Sequence, residues 1–261
     1  LSCVDADPYP GPIDARVRTR SGGRKRKAGV IVQVSSIALS KMVYAHATTL
    51  VNLVRGLMTR FYRVKSRDCG FVSTPVPNPL AWHILMGAAR RQLSTIMQRC
   101  SPWTNKQLLE SYRGDRRYRI YENAYHSLRW KPVTRRDARV RVFIKTEKLV
   151  KTNEFGDPSQ DPRLIQPRDP RFNFRLGRYI KPLEKVIPKL VAEVWQQRHV
   201  ITKGLNALDV GREFHREWLK YTEPVAVGLD ASRFDQHVSV DALQWEHSIY
   251  LMLYCWPAEL R

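Results

Sequence analysis

The sequence predicts a mixed α/β fold of the α+β kind, on three observations. Apolar residues recur at helical spacing in several stretches between residues 80 and 253. Residues 139–149 alternate apolar and charged side chains with the two-residue period of a strand. A short apolar run, Val225-Ala226-Val227-Gly228-Leu229, leads to Asp230 and then to a capped final helix. With 261 residues, 43% of them hydrophobic, the chain can build one large domain or two small ones, and wholesale disorder is excluded.

Taken in order, residues 1–29 are rich in Pro, Gly and Arg and end in the run Arg24-Lys25-Arg26-Lys27. They read as a disordered basic arm or as an ordinary solvated tail. Residues 30–58 turn apolar, but Lys41, His46, Asn52 and Arg55 interrupt them. No stretch reaches the ~18–20 apolar residues of a membrane span, so a packed or interfacial helix is the preferred reading. A Pro-rich loop around Pro75, Pro77 and Pro79 precedes a helix over about Leu80–Arg99. Ser101-Pro102 breaks it, and Thr104 can cap the short segment that follows. Next, Tyr118, Tyr121, Tyr125 and Leu128 fall at helical spacing beside Arg113, Arg116, Arg117 and Arg119. Tyrosines that stack bases and arginines that pair phosphates would suit single-stranded nucleic acid. A tyrosine stripe packed in the core, with the arginines in water, is the plainer reading and the preferred one.

In the strand over 139–149, Val140, Val142 and Ile144 alternate with Arg139, Arg141, Phe143 and Lys145. A loop, TNEFGDPSQDP, leads to a short strand, Arg163–Gln166. Asp169-Pro170 then signals a helix start. In that helix Leu176, Tyr179, Ile180, Leu183 and Ile187 share a face, and Pro182 is expected to kink or split it. A helix over about Asn206–Tyr221 is expected to bury Leu208, Phe214 and Trp218. After Pro224, VAVGLD is expected to form a buried strand, and Ser239 to cap a last helix containing Leu243, Ile249 and Leu253. No internal repeat is present.

The charge narrows the partners. Lys and Arg number 45 against 24 Asp and Glu, a net charge of +21. Such self-repulsion is usually offset by a polyanion, with nucleic-acid phosphates first and an anionic membrane surface second. Charge alone gives no chemistry, and a coat protein with a basic arm would fit it too. Cys3, Cys69, Cys100 and Cys255 form no C-x-x-C pair, so they read as neither a zinc site nor a disulfide framework, and a reducing compartment is expected. The seven histidines show no metal-ligand spacing, and there is neither a P-loop nor a Gly-x-Ser-x-Gly element.

Two carboxylates carry the sharpest chemical signal. Asp230 closes the apolar run and Asp235 follows five residues later across a turn. A carboxylate at the tip of an apolar strand is a common way to hold a metal for phosphoryl chemistry, because the strand fixes the ligand while its tip stays open. Aspartates at strand ends and helix starts also serve as caps, and by themselves these two carry either role.

Their surroundings resemble a known family. Phe143-Ile144-Lys145-Thr146-Glu147-Lys148, then Pro162-Arg163-Leu164-Ile165-Gln166-Pro167-Arg168, then Phe172-Asn173 and Leu176-Gly177-Arg178-Tyr179 precede GLDASRFDQHVS in that order. The set resembles the RNA-dependent RNA polymerases of plus-strand RNA viruses, especially the tombusvirus-like group, over roughly residues 50–261. The first two elements are similar to the basic fingers motif F, and the last to palm motif A. The resemblance implies an incomplete right-hand polymerase: a basic, disordered or irregular extension over 1–49, fingers over 50–222 and the start of the palm over 223–261. It implies that Asp230 is a metal ligand for Mg²⁺, with Mn²⁺ as a substitute, and that Asp235 senses the ribose 2′-hydroxyl. It further implies that Lys145, Lys148, Arg163 and Arg168 bind the triphosphate. The partners it implies are RNA template and product, NTPs, other viral replication proteins and a host membrane surface. The place it implies is the host cytoplasm, in membrane-associated replication complexes.

The chain begins at Leu1 and stops at Arg261, before any Ser-Gly…Thr…Asn stretch or Gly-Asp-Asp turn, the family's motifs B and C. It is expected to be a fragment, a processed product or the downstream part of a longer reading frame, and inactive by itself. The rival is a non-enzymatic viral RNA-binding or membrane-associated replication protein, in which the same basic face only holds RNA.

Overall fold

Local capping chemistry starts most of the helices. Six elements open on a side-chain oxygen that accepts an otherwise unpaired N–H of the first turn. Thr49 caps α1 (Leu50–Leu57), Asn78 caps α2 (Pro79–Ser94) and Thr104 caps α3 (Asn105–Glu110) with a full capping box through Gln107. Asp169 caps α5 (Pro170–Val194), Asn206 caps α6 (Ala207–Trp218) and Ser239 caps α8 (Val240–Leu253). α4 (Tyr118–Trp130) and the single turn α7 (Phe234–His237) complete the helices. The strands are short: β1 (Ser2–Val4), β2 (Tyr44–His46), β3 (Arg63–Lys65), β4 (Phe71–Ser73), β5 (Phe143–Ile144) and β6 (Leu164–Ile165).

The computed structural model describes residues 2–4, 10, 44–66, 70–95, 100–147, 160–231 and 233–254. The basic run Arg24–Lys27, residues 30–43 of the apolar stretch 30–58, Lys148 and most of the loop after it lie outside the described residues. Within them the chain is helix-rich and mixed α/β, with three two-stranded sheets. No helix among them is long and apolar enough to cross a membrane. They divide into two compact units, the first from residues 1–75, 140–167 and 233–237, the second from 76–139, 168–232 and 238–261.

In the first unit β1 pairs with β2 in parallel, and β3 with β4 antiparallel. α1 runs directly into a π turn, Met58–Tyr62, before β3. The face α1 buries is polar and small: Asn52 is fully buried, its Nδ2 donating to the Ala47 carbonyl at 2.9 Å, and Gly56 lies against the chain at Pro162. A β-carbon at Gly56 would sit 2.9 Å from the Pro162 carbonyl oxygen, so only glycine permits this approach. β5 and β6 are antiparallel, Phe143 opposite Ile165 and Ile144 opposite Leu164. Hydrogen bonds from Arg141 N–H to the Pro167 carbonyl (2.9 Å) and from Lys145 N–H to the Arg163 carbonyl (2.8 Å) carry the pairing over 141–145 and 163–167. The alternation read from the sequence holds around Ile144, which is buried between exposed Arg141 and Phe143 on one side and half-exposed Lys145 on the other, but not at Val140, which is 43% exposed.

The second unit is built along α5, which continues unbroken through Pro182 and Pro188 rather than splitting. An interior proline costs about 3 kcal/mol in a helix. Packing offsets it here, since Pro182 and Leu183 are both buried. One end of α5 meets α3 and α4, where Leu108, Tyr112, Ala124 and Phe174 form a core with Tyr121, Tyr125 and Leu128 against it. The tyrosine stripe is therefore core, and Arg113, Arg116, Arg117 and Arg119 face solvent. The other end meets α8 through Tyr179, Leu183, Leu190, Ile249, Met252 and Leu253. α2 lies on α8, where the Trp245 indole N–H donates to the Met86 carbonyl at 3.0 Å.

Two expectations are corrected in this unit. α6 buries no residue: Leu208, Phe214 and Trp218 are 63%, 66% and 47% exposed. Residues 224–231 form no strand, and Val225, Val227 and Leu229 are 82%, 77% and 92% exposed. The reason is the same in both places. An amphipathic helix or an apolar strand is buried only by a second surface, and no described residue supplies a ladder partner for 224–231 or a covering layer for that face of α6.

Candidate active site

Lys145 and Arg163 stand directly opposite each other across the β5–β6 pairing, on its outward side. Two like charges in that register repel. Glu147, two residues beyond Lys145 on the same face, offsets the repulsion by accepting from Lys145 Nζ at 2.8 Å and lying 3.4 Å from Arg163 Nε. The side chains of both cations are about half exposed, so a solvent-borne anion can reach them. Arg168 belongs to the second unit; its Nε donates to the Ala138 carbonyl at 3.1 Å and its guanidinium lies 5.2 Å from the Phe172 ring centre.

Asp230 lies in the irregular segment 224–231 of the second unit and is exposed. Asp235 lies in α7 of the first unit, also exposed. The structure thus brings Lys145 and Arg163 together and puts Asp235 in the same unit with them. It assigns Asp230 and Arg168 to the other unit.

The turn that carries Asp235 is held by Arg233 and Gln236, which lie inside GLDASRFDQHVS but have no role of their own in the resemblance. Arg233 has φ +54°, a left-handed conformation that costs a non-glycine residue about 1–2 kcal/mol. Its guanidinium pairs with the Asp161 carboxylate and donates through Nη1 to the Thr59 carbonyl at 3.0 Å. Gln236 is buried, and its Nε2 donates to the same Thr59 carbonyl (3.1 Å) and to the Arg63 carbonyl. The Thr59 carbonyl is available because of the π turn: the Arg63 N–H bonds back to Met58, five residues earlier, and passes Thr59 by.

Asp161 is the hub. Its side chain is only 9% exposed, and its second oxygen accepts from Arg55 Nε at 2.7 Å. Arg60 donates to its backbone carbonyl at 3.1 Å. Removing the Asp161 charge would strand guanidiniums that are mostly out of water. Burial holds Arg60 below its ordinary pKa, and the neighbouring Arg233 pushes the same way, against Asp161. His46, nearby in sequence to α1, is buried with Nε2 on the Gln160 carbonyl at 2.8 Å, and burial lowers its pKa. Asp161 carries no sequence signal, and although Arg233 and Gln236 lie inside GLDASRFDQHVS, nothing local shows what they hold, because the partners lie 72 to 177 residues away.

As a metal site, the described residues offer Asp230 as one exposed carboxylate. No group of three or more His, Cys, Asp or Glu side chains gathers among them, so they do not by themselves complete a coordination sphere.

Paired cations on a strand ladder, tied through Asp161 to a turn bearing a carboxylate, equip a basic protein to receive a phosphate-bearing ligand. The chain belongs to the family described as viral RNA dependent RNA polymerase, which it matches over residues 17–261. It is 43% identical to the RNA-directed RNA polymerase of Pothos latent virus over 206 residues, 78% of this chain and 27% of the relative. It is 37% identical to that of maize chlorotic mottle virus over 243 residues, 93% of this chain and 25% of the relative. It is 40% identical to that of tobacco necrosis virus over 232 residues, 89% and 31% respectively. The chain thus spans about a quarter of the length of the curated relatives it matches. No solved structure matches it.

Proposed function

We propose that this chain is the part of an RNA-directed RNA polymerase that takes up the NTP triphosphate and presents the first metal-binding carboxylate. The parent reaction is transfer of a nucleoside monophosphate to an RNA 3′ end, with loss of pyrophosphate, during copying of a viral plus-strand genome. The observation that carries the reading is the Lys145–Arg163 pair, half exposed and in register on one face of a strand ladder, inside the residues that match the family.

Lys145 and Arg163 exchange Glu147 for phosphate oxygens, a trade of one anion for a more highly charged one. Charge that develops on the leaving pyrophosphate is then met by cations already in place. Lys148 and Arg168 are further candidate cations for the triphosphate, carried by the family resemblance of their motifs. Asp235, exposed on α7, accepts from the ribose 2′-hydroxyl. Asp230 would hold one divalent ion, Mg²⁺ or Mn²⁺, which when bound stabilises charge on the transferring phosphoryl group. RNA template and product are the macromolecular partners.

The test is Asp230→Asn in the full-length polymerase, assayed for nucleotide incorporation on an RNA template. The change keeps shape and removes one metal-ligand charge. Incorporation is expected to fall on the order of 10³-fold or more, with RNA affinity and melting temperature nearly unchanged. Retained incorporation would remove the motif A assignment.

A further inference from the structure

We infer that Arg233 is a positioning residue for nucleotide selection: its guanidinium fixes the turn that presents Asp235 and registers that turn against the strand carrying Arg163. The inference rests on the polymerase reading above and deepens it.

Consider first why an arginine stands there. The backbone at residue 233 is left-handed, a conformation glycine adopts freely and arginine does not. If the turn alone mattered, the side chain would be a burden. Instead the side chain makes two directed bonds, to a mostly buried carboxylate and to a main-chain carbonyl. Three residues on, Gln236 adds two more N–H bonds to main-chain carbonyls. Asp235 therefore sits between two pinned residues, itself exposed, with little freedom to shift.

The second link runs from Asp161 to Arg163. The residue between them, Pro162, is fully buried and packs on Gly56 of α1, and the Arg163 carbonyl is held by the Lys145 N–H at 2.8 Å. A carboxylate bonded to Arg233 is thus two residues from the proposed phosphate-binding cation, through a buried, hydrogen-bonded stretch. A nucleotide gripped by its phosphates at Arg163 and read at its ribose by Asp235 is measured by the separation of those two groups. Arg233 sets that separation. It touches no substrate and acts through Asp235.

The experiment uses the full-length polymerase and compares Arg233→Gly, Arg233→Lys and Asp161→Asn in single-nucleotide incorporation with ribo- and deoxyribonucleotides. Arg233→Gly removes both bonds while easing the turn. It is expected to lower ribo-over-deoxy preference about tenfold and raise KM for NTP by a similar factor, with kcat within about threefold. Arg233→Lys, which can keep the Asp161 pair, is expected to recover part of both losses. Unchanged preference and KM in Arg233→Gly would overturn the inference, as would a fall in kcat alone or a lysine variant no better than glycine. Should both Arg233 variants fail to fold, Asp161→Asn decides: full discrimination there, or a third failure to fold, refutes positioning in favour of a purely structural tie. Asp230→Asn runs alongside as the control. If it stays active, the polymerase reading fails. If it is inactive while Arg233→Gly matches the parent, only the positioning role fails.

Discussion

Gly56→Ala tests how tightly α1 holds the strand that carries Arg163. The new methyl would lie 2.9 Å from the Pro162 carbonyl oxygen and 3.0 Å from the Leu164 side chain. Leucine can rotate away, but the carbonyl belongs to the backbone of a buried proline. Alanine gains up to about 1 kcal/mol of helix propensity over glycine. Overpacking costs about 1–3 kcal/mol, and a clash with main chain belongs in the upper half of that range. The net is a loss of about 1–2 kcal/mol. Two other helical glycines calibrate the argument. At Gly211 in α6 nothing lies within 4 Å, so Gly211→Ala should gain about 0.5–1 kcal/mol. At Gly177 in α5 the nearest atoms are the Leu108 methyls at 3.3 and 3.4 Å, and gain and cost should nearly cancel. Urea denaturation of the three variants reads the order directly, with Gly211→Ala above the parent, Gly177→Ala beside it and Gly56→Ala below. Because the displaced segment leads into Arg163, Gly56→Ala should also raise KM for NTP. A Gly56→Ala protein as stable as the parent, with Gly211→Ala stabilised as expected, would refute the reasoning.

The buried His46 predicts a pH dependence. Its folded pKa is depressed from 6.5, by burial before all else, and its Nδ1 has no partner among the described residues. The unfolded chain therefore takes up the proton first, and stability drains away as pH falls below about 6.5. His46→Gln keeps an N–H for the Gln160 carbonyl and cannot titrate, so its urea midpoint should fall less than the parent's between about pH 7 and pH 5. Equal falls would show that His46 does not titrate in that window. The net charge of +21 predicts that RNA affinity drops steeply with salt and shows little sequence preference. A loss of about 10³-fold between 50 and 200 mM salt corresponds to about six phosphate contacts. Filter binding across that range checks it, and flat affinity would rule out a backbone-driven interface.

What the sequence revealed was local. Thr104, Asp169-Pro170 and Ser239 announce helix starts through chemistry complete within three residues, and all three caps are present. The alternation around Ile144 likewise needs only its own neighbours, as does the order of the motifs that led to the family. The misreadings share a cause. Periodicity shows that Phe214, Trp218 and Leu229 could be buried, but it does not show what would cover them. Pro182 is expected to kink or split α5 because the helix rule is local, and the helix is not split at this buried position. The Asp161 hub was illegible for a further reason. Its carboxylate lies in a stretch that reads as loop, and the guanidiniums it gathers are contributed by residues 55 and 233.

The π turn at Met58–Tyr62 has a consequence for how this stretch of the genome can vary. Such a turn holds one residue more than the α-helical turn it replaces. Deleting any one of the five would let α1 continue as regular helix, which is locally the more favourable backbone. It would also rotate α1 by about 100° relative to β3. Asn52 and Gly56 would then leave their buried face, Arg55 would swing off Asp161, and the Thr59 carbonyl would turn back into the helix. The codons for residues 50–65 are thus locked in number more strictly than in identity. Exposed positions such as Leu50 and Tyr62 can drift to other residues, while a single in-frame loss dismantles contacts made 173 to 177 residues downstream.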